Sequence, residues 1–503
     1  MTTGTVTPHR SPLTPEREGF WRLVHAEWTK FRTVRGWVIA VLVTIAAITA
    51  FGFVVVGGGG SCVGSGGPSA CPSQPTGPGG EPVVDAFYFA HQPVTGNGTI
   101  TVQVTSLTGQ DPWSKAGIIL KENTSQGSAY AAMMVTGSNG VRMQWDYVND
   151  TPGLTGSVSA SAPRWLRLVR RGGTITGYDS ADGTHWARVA AATLPGLAAT
   201  VQAGLFAAGS SYDSNFGTRA TGVFRHIGLS WPATGWTGTN VGGVLGQSGV
   251  PVPGTLRQGA GALTLTSFGD ISPAAGNAYG GSGVSLQEAL AGTFFGLIPL
   301  IVVAVMFITA EYRRGLIRVS LAAAPRRGRL LAAKAVAIGA VGFVAGLVAA
   351  TLALAVDMPL LRRAGGLAWP VSLPTEARMV VGTGALLGVA AVLALAIGTV
   401  VRRSAPAVAI VIVVIFVPYL LTRDLVQAQG SGSGGAGGWP LQITPAAALS
   451  VQQAVPQFHQ LIAIYNPNEG YYPLAPWAGL AVECAWAAAA LALAFFLLRR
   501  TDA

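Results

Sequence analysis

The chain has 503 residues, half of them hydrophobic and only 11% charged, with a formal net charge of +11. That balance is too apolar for an ordinary soluble protein and makes a membrane protein the default. The positive charge does not point to nucleic acid. Lys and Arg cluster beside apolar runs instead of forming a basic face with interleaved aromatics, and no helix-turn-helix pattern or zinc-ligand spacing occurs.

Residues 1–35 form a basic arm. Within it Phe20, Leu23, Val24, Phe31 and Val34 recur near helical spacing while Arg22, Glu27, Lys30 and Arg32 take other positions, which predicts an amphipathic helix at a membrane interface. A bilayer core of about 30 Å needs roughly 20 apolar residues in a helix. By that criterion 36–56 is the first transmembrane helix. A secretory or lipoprotein signal ending at Cys62 is the competing reading, but the basic region is long and the apolar run exceeds a signal core.

Residues 57–81 are dominated by Gly, Pro and Ser and predict a flexible tether. Cys62 and Cys71 within it are expected to close a small disulfide loop outside the cytoplasm, with two free thiols as the alternative. From 82 to 232 short alternating runs separated by turn residues predict an antiparallel β-sandwich. Thr99 to Val104 alternates, Trp165 to Val169 and Thr174 to Tyr178 flank a hairpin turn, and Asp182-Gly183 supplies a turn before Trp186. Residues 233–288 are Gly-rich and predict a stalk with strand content near Ala262 to Phe268.

Five further apolar runs follow, at 289–310, 331–356, 379–401, 405–421 and 476–498, with a coupling loop at 311–330 and an outer loop at 422–475. The fold class is therefore membrane α-helical, six transmembrane helices, with a large extracytoplasmic antiparallel β-sandwich inserted between helices 1 and 2. Short loops rich in Lys and Arg stay in the cytoplasm. Arg32 and Arg35, then the loop from Arg313 to Lys334, Arg402 and Arg403, and finally Arg499 and Arg500 all place both termini inside a plasma membrane, against Arg362, Arg363 and Arg378 in an outer loop. Glu483 is an ionisable residue within the last run, and Asp357 reads as a helix-end residue. Gly339, Gly342 and Gly346 permit close helix contact. The run from Ala446 to Ala463 is predicted to lie along the surface or to re-enter the membrane.

Two resemblances sharpen this reading. The stretch Leu23-Val24-His25-Ala26-Glu27-Trp28-Thr29-Lys30-Phe31-Arg32-Thr33-Val34-Arg35-Gly36 resembles the N-terminal signature of actinobacterial type-2 ABC exporter permeases, as does Ile308-Thr309-Ala310-Glu311-Tyr312-Arg313-Arg314-Gly315 followed by Pro325-Arg326-Arg327-Gly328. The insert resembles a concanavalin- or laminin-G-like sandwich through Asp111-Pro112-Trp113-Ser114-Lys115-Ala116-Gly117, Trp165-Leu166-Arg167-Leu168 and Gly177-Tyr178-Asp179. Most such permeases have only a short connection at that place.

The permease resemblance implies a homodimer or heterodimer in the lipid bilayer, driven by separate ABC ATPase subunits. ATP and Mg belong to those partners, because this chain has no Gly-x-x-x-x-Gly-Lys-Ser/Thr loop, and no cofactor, metal or catalytic residue is assigned to it. Glu27, Glu311, Tyr312, Arg313, Arg314, Arg318, Arg326 and Arg327 are the expected ATPase-coupling residues. Relatives of the sandwich fold often bind carbohydrate, so Trp113, Trp145, Tyr147 and Trp186 are candidate faces for a surface glycan, with packing as their alternative role. No acid pair suited to glycoside hydrolysis is apparent. The expected function is export of an unidentified substrate. The alternative is a membrane-anchored carbohydrate or cell-wall binding or sensing protein that transports nothing.

Overall fold

The computed structural model describes residues 19–500 apart from 59–60, 65–66, 71–74, 110, 210–217, 244–251, 260, 276–283, 314, 316–325, 364–366, 430–437, 462–464, 466 and 468–469. Arg314, Arg318 and Cys71 therefore lie outside the described residues, and with Cys71 the expected disulfide.

Seven helices organise the apolar part: α1 (Phe20–Thr33), α2 (Arg35–Gly58), α3 (Thr293–Arg313), α4 (Arg327–Arg363), α5 (Leu373–Val401), α6 (Ser404–Gln429) and α7 (Pro476–Arg500). All but α1 are long and apolar enough to cross a membrane. Val34 adopts an extended conformation between α1 and α2, so the chain turns there from one helix into the other. The contact between α4 and α5 is built on glycines. A methyl group at Gly342 would meet the Leu387 carbonyl at 2.7 Å, and one at Gly388 would meet the Gly339 carbonyl at 2.9 Å. Only small residues allow backbones that close. Outward-facing Ile39, Leu42, Val54 and Phe496 give α2 and α7 an exposed apolar wall of the kind lipid covers.

Helix α4 continues past its expected end at 356 to Arg363, so Asp357 is a fully buried residue of the helix and not a terminal one. It stands close to Gly52 of α2, where a side chain would collide with its carboxylate. The run from Ala446, expected to lie along the surface or to re-enter the membrane, does not begin as an exposed surface helix. Pro445–Gln452 forms a 3-10 segment whose eight residues are all buried, packed against α5 and α7. Gln452 fastens it by donating to Thr293 Oγ1 of α3 (2.8 Å) and Thr383 Oγ1 of α5 (2.9 Å). A cavity of about 60 Å³ lies beside it, lined by Gln287, Glu288, Phe294, Tyr419, Gln452 and Tyr472.

Between α2 and α3 in chain order come the strands. A small hairpin pairs β1 (Ser61–Gly64) with β2 (Gly67–Ala70), inside what the composition presents as pure tether. The first large sheet runs β12 (Ala187–Thr193), β11 (Thr174–Ser180), β10 (Arg164–Arg171), β5 (Gly98–Gly109), β14 (Arg219–Leu229), β17 (Ala262–Phe268) and β16 (Thr255–Gly259). The second runs β15 (Thr237–Val241), β4 (Phe87–Thr95), β13 (Thr200–Ala208), β6 (Lys115–Lys121), β7 (Tyr130–Thr136), β8 (Val141–Trp145) and β9 (Asn149–Pro152). Every pairing within them is antiparallel. The two sheets enclose one core, including Ile100, Val102, Ile118, Leu120, Leu166, Leu168 and Phe224.

The sandwich does not stop at 232. β15, β16 and β17 fall in the stretch expected to be a stalk, and Leu263 and Leu265 of β17 fill the core through plain apolar–polar alternation. A short pair, β3 (Val83–Asp85) with β18 (Ile271–Pro273), joins the two ends of the insert. These ends cover the outer face of the second sheet. Consequently β6 is buried at all seven positions: Ala116, Ile118 and Leu120 face the inner core, while Ile119 joins Phe87, Phe89, Tyr130, Phe206 and Ile271 in an outer one.

Two lysines end up inside that outer layer, each with a carboxylate from the covering segments. Lys115 Nζ donates to Asp270 Oδ1 and Lys121 Nζ to Asp85 Oδ2, both at 2.8 Å, and all four side chains are at most 1% exposed. Tyr147 adds its hydroxyl to Asp85 Oδ2 at 2.7 Å. Burial pulls the Lys121 ammonium below its usual value, against the opposing pull of Asp85.

Candidate functional site

The strongest concentration of buried charge among the helices lies where α1, α3 and α4 meet. Phe31 of α1 is buried beside Trp37 of α2 and Phe307 of α3, with ring centroids 6.0 and 6.1 Å away. That aromatic anchor presses one face of α1 onto the helices. Glu27 lies one turn before Phe31 on the same face and is buried with it, which corrects its expected place on the polar side.

Its neutralising partner comes from α4. Lys334 Nζ donates to Glu27 Oε2 at 2.6 Å and to Glu311 Oε1, in the last turn of α3, at 2.7 Å. Lys30 completes the group, reaching Glu27 Oε1 at 2.7 Å and Glu311 Oε1 at 3.2 Å. The Lys334 ammonium also lies 4.9 Å from the Phe307 ring centroid. Two carboxylates and two ammonium groups cancel, so three helices are tied by a neutral network. The side chains of Lys334, Glu27 and Glu311 are 1%, 3% and 12% exposed, whereas Lys30 is 44% exposed. Burial lowers the Lys30 pKa, but the Glu27 and Glu311 carboxylates overcome it and leave it raised.

Further contacts tie the helix ends that carry the other expected residues. Tyr312 faces the Arg402 guanidinium, 5.6 Å from its ring centroid, at the left-handed C-cap of α5. Arg327 donates to the Leu498 carbonyl at 2.6 Å, tying the start of α4 to the end of α7. Thr309 and Ser404 share a 2.7 Å hydrogen bond between α3 and α6. Arg313 and Arg326 are exposed on either side of the segment 314–325. The structure thus brings Glu27 and Glu311 together and adds Lys30 and Lys334, which were not among the expected coupling residues. The available signal was an acidic residue inside each of two strongly basic segments.

The four aromatics considered for glycan binding are not gathered on one surface. Tyr147 is buried in the outer core, and Trp113 is buried beneath Arg142, whose guanidinium lies 5.5 Å from its ring centroid. Trp145 packs on the inner core. Trp186 lies on the other side of the sandwich, stacked under Arg167 at 3.7 Å. Among the described residues no group of His, Cys, Asp and Glu is arranged to hold a metal ion.

The sandwich also touches the membrane part. Gln460 donates to the Val148 carbonyl at 3.2 Å and to the Tyr147 carbonyl at 3.4 Å. Val148 packs on a cluster of Ala275, Trp369, Val455, Phe458 and Leu461. The turn that makes this contact has positive φ at Asp146 and Tyr147, 44° and 63°, which aims its carbonyls outward.

Six spanning-length helices, a network at one end and a strand domain between the first two helices define a multi-pass membrane protein carrying a β-sandwich. Residues 192–503 match the family described as ABC-2 family transporter protein, and the chain belongs to that family. Membership makes it the membrane permease component of an ABC transporter and implies association with ABC ATPase subunits. No curated protein matches it. Among solved structures it is similar to scytalido-glutamic peptidase with a transition state analog inhibitor, at 9% identity over 36% of this chain and 98% of that one, TM-score 0.25. A functionally unknown protein from Saccharomyces cerevisiae matches at 15% identity over 28% of this chain and 74% of that one, TM-score 0.21. A GH43 BlXynB protein from Bacillus licheniformis matches at 14% identity over 22% of this chain and 24% of that one, TM-score 0.19. Likenesses this low say nothing about what the chain does.

Proposed function

We propose that the chain is the permease of an exporter that moves its substrate out of the cytoplasm on ATP hydrolysed by separate subunits. The observation that carries the reading is the Glu27–Lys334–Glu311–Lys30 network. It makes α1, the end of α3 and the start of α4 one block, so a push on α1 or on the 314–325 segment is delivered to two spanning helices at once. Arg313, Arg314, Arg318, Arg326 and Arg327 around that segment, with Glu27, Glu311 and Tyr312 behind it, are the coupling residues of this proposal.

In this reading the basic end and both termini are cytoplasmic, and the sandwich stands outside the cell membrane. Two copies, or this chain and a second permease, form the pathway. The sandwich binds glycan or cell-wall material, and Cys62 and Cys71 bridge near its entry. ATP and Mg act on the partner subunits alone.

Purifying the tagged chain in mild detergent, identifying co-purifying proteins by mass spectrometry and assaying ATPase activity tests this proposal. Recovery of a Walker-type ATPase that is lost on Arg313→Glu/Arg314→Glu, with the permease still folded, supports it. A folded chain that never retains an ATPase under gentle conditions favours the surface-binding protein instead.

A further inference from the structure

With the outer face of the second sheet covered by the insert's own ends, the open broad face of the sandwich is the outer face of the first sheet. Strand register shows what it carries. Arg188 of β12, Tyr178 of β11, Arg167 of β10 and Thr101 of β5 lie in one cross-strand row, because each pairs with the next. The adjacent row holds Trp165 of β10, Gln103 of β5 and Arg225 of β14. Arg257 of β16 pairs with Thr264 of β17 further along. Among the described residues of these seven strands no Asp or Glu shares this face. Asp179 is buried and pairs with Leu166 on the inward side.

Aromatic rings lie among these arginines. Arg167 stacks on Trp186 at 3.7 Å, and Trp165 stacks on His226, ring centroids 5.5 Å apart and planes 24° from parallel. His226 reaches that position through a local irregularity. Between Arg225 and Gly228 the register of β14 shifts, and His226 has φ of 48°, a left-handed backbone that re-aims its side chain. Gly183, with φ of 78°, lets the adjoining turn lie flat on Trp165, where a side chain would be 2.7 Å from the indole. Arg188, Arg225 and His226 are exposed and the two indoles partly buried. The opposite end of the sandwich, at the contact with Gln460, has the reverse character. Burial raises Glu81 and Asp146 there above the usual carboxylate values, and the Asp146 charge adds to the rise at Glu81.

We infer that the outer face of the first sheet, with Trp186 and His226 as ring platforms, Trp165 backing His226, and Arg167, Arg188 and Arg225 as anion contacts, is a binding site for an anionic glycan polymer. Flat apolar rings suit the faces of sugar rings, and guanidinium groups suit carboxylate or phosphate substituents. Arg167 and Arg188 are two strands apart, about 10 Å, so one extended chain crossing the strands meets several cations. This inference rests on the reading of the sandwich as a glycan-binding module and narrows it to one face and one charge class.

The test uses the full chain in detergent, immobilised by a C-terminal tag, with polygalacturonate, neutral dextran, polyphosphate and phosphatidylglycerol vesicles as probes. Polygalacturonate is expected to bind, to weaken at least 10-fold in Arg188→Ala/Arg225→Ala, to weaken likewise in Trp165→Ala, and to fall with added salt, while dextran does not bind. Thermal unfolding of each variant, unchanged from the parent, separates lost contact from lost fold. His226→Ala serves the same test if Trp165→Ala proves unstable. Dextran binding that depends on Trp165 overturns the anionic class and keeps the glycan reading. Binding by polyphosphate or vesicles with no dependence on Trp165 reduces the face to a charge patch and overturns the glycan class. No binding by any probe overturns both, without touching the ATPase co-purification that tests transport.

Discussion

The sandwich and the base of the helices both bury lysines against carboxylates, and they do so differently. In the sandwich Lys115–Asp270 and Lys121–Asp85 are sealed on both sides, at most 1% exposed. At the helix base Lys334 is as deeply enclosed, but the same carboxylates also hold Lys30, which is 44% exposed. A sealed pair can only stay closed, because opening it strands a charge in a medium that does not solvate it. A network with one exposed member can exchange partners at its rim while the inner charges remain matched. The first arrangement suits a staple, the second a joint.

This contrast can be attacked at its strongest point first. Lys121→Met leaves Asp85 buried without its cation and is expected to destabilise the sandwich by about 3–5 kcal/mol. Thermal unfolding of the purified chain measures it, and the double variant Lys121→Met/Asp85→Leu should recover most of the loss. Recovery failing would mean that Tyr147, not the ion pair, organises that layer. Lys334→Met should cost on the order of 3 kcal/mol, less than Lys121 because Lys30 remains to hold Glu27 and Glu311. Its signature is faster proteolysis within α1 and loss of ATPase stimulation in a reconstituted complex.

Lys30→Ala removes the exposed member and should cost under about 1 kcal/mol. If it proves as harmful as Lys334→Met, the joint is really a second staple. At the far end of the series stands the exposed pair of Asp182 and His185, 2.6 Å apart. The hydrogen bond to Asp182 raises the His185 pKa, and the same bond lowers that of Asp182. A histidine raised above its unfolded value contributes stability below the unfolded pKa and loses that contribution as pH rises through the folded one. NMR titration of the imidazole should therefore show a raised midpoint, and Asp182→Asn should return it toward the ordinary value with little change in unfolding temperature.

The helices were legible because twenty apolar residues have few other fates, and the β10–β11 hairpin because its turn and alternation agree; Gly172 takes the positive φ that turn requires, 61°. Lys115 and Lys121 were not legible. A lysine at each end of an apolar run looks like a strand emerging into solvent, and nothing local says that residues 85 and 270 return to cover it. In the stretch expected to be a stalk, the strand at Ala262 to Phe268 was legible from its alternation, whereas β15, which pairs with the distant β4, and the short β16 were hidden by high Gly content. At the helix base the motifs located Glu27 and Glu311, but pairing with Lys334 needs α1 folded back beneath α3 and α4, which periodicity does not report. The expected glycan aromatics were chosen by residue type, whereas the face they occupy depends on register.

The pairing of β3 with β18 has a further consequence. Because Val83 stands opposite Pro273, the chain enters and leaves the sandwich at points about 5 Å apart. To the helices, a domain of this size is topologically a hairpin turn: α2 and α3 need be no farther apart with it than with a few residues in its place. Such a module can be gained or lost in one genetic event without repacking the spanning helices. Excising it also removes the turn at Tyr147 and Val148 that Gln460 holds, so the shortened protein would lose that tie to the segment between the last two spanning helices.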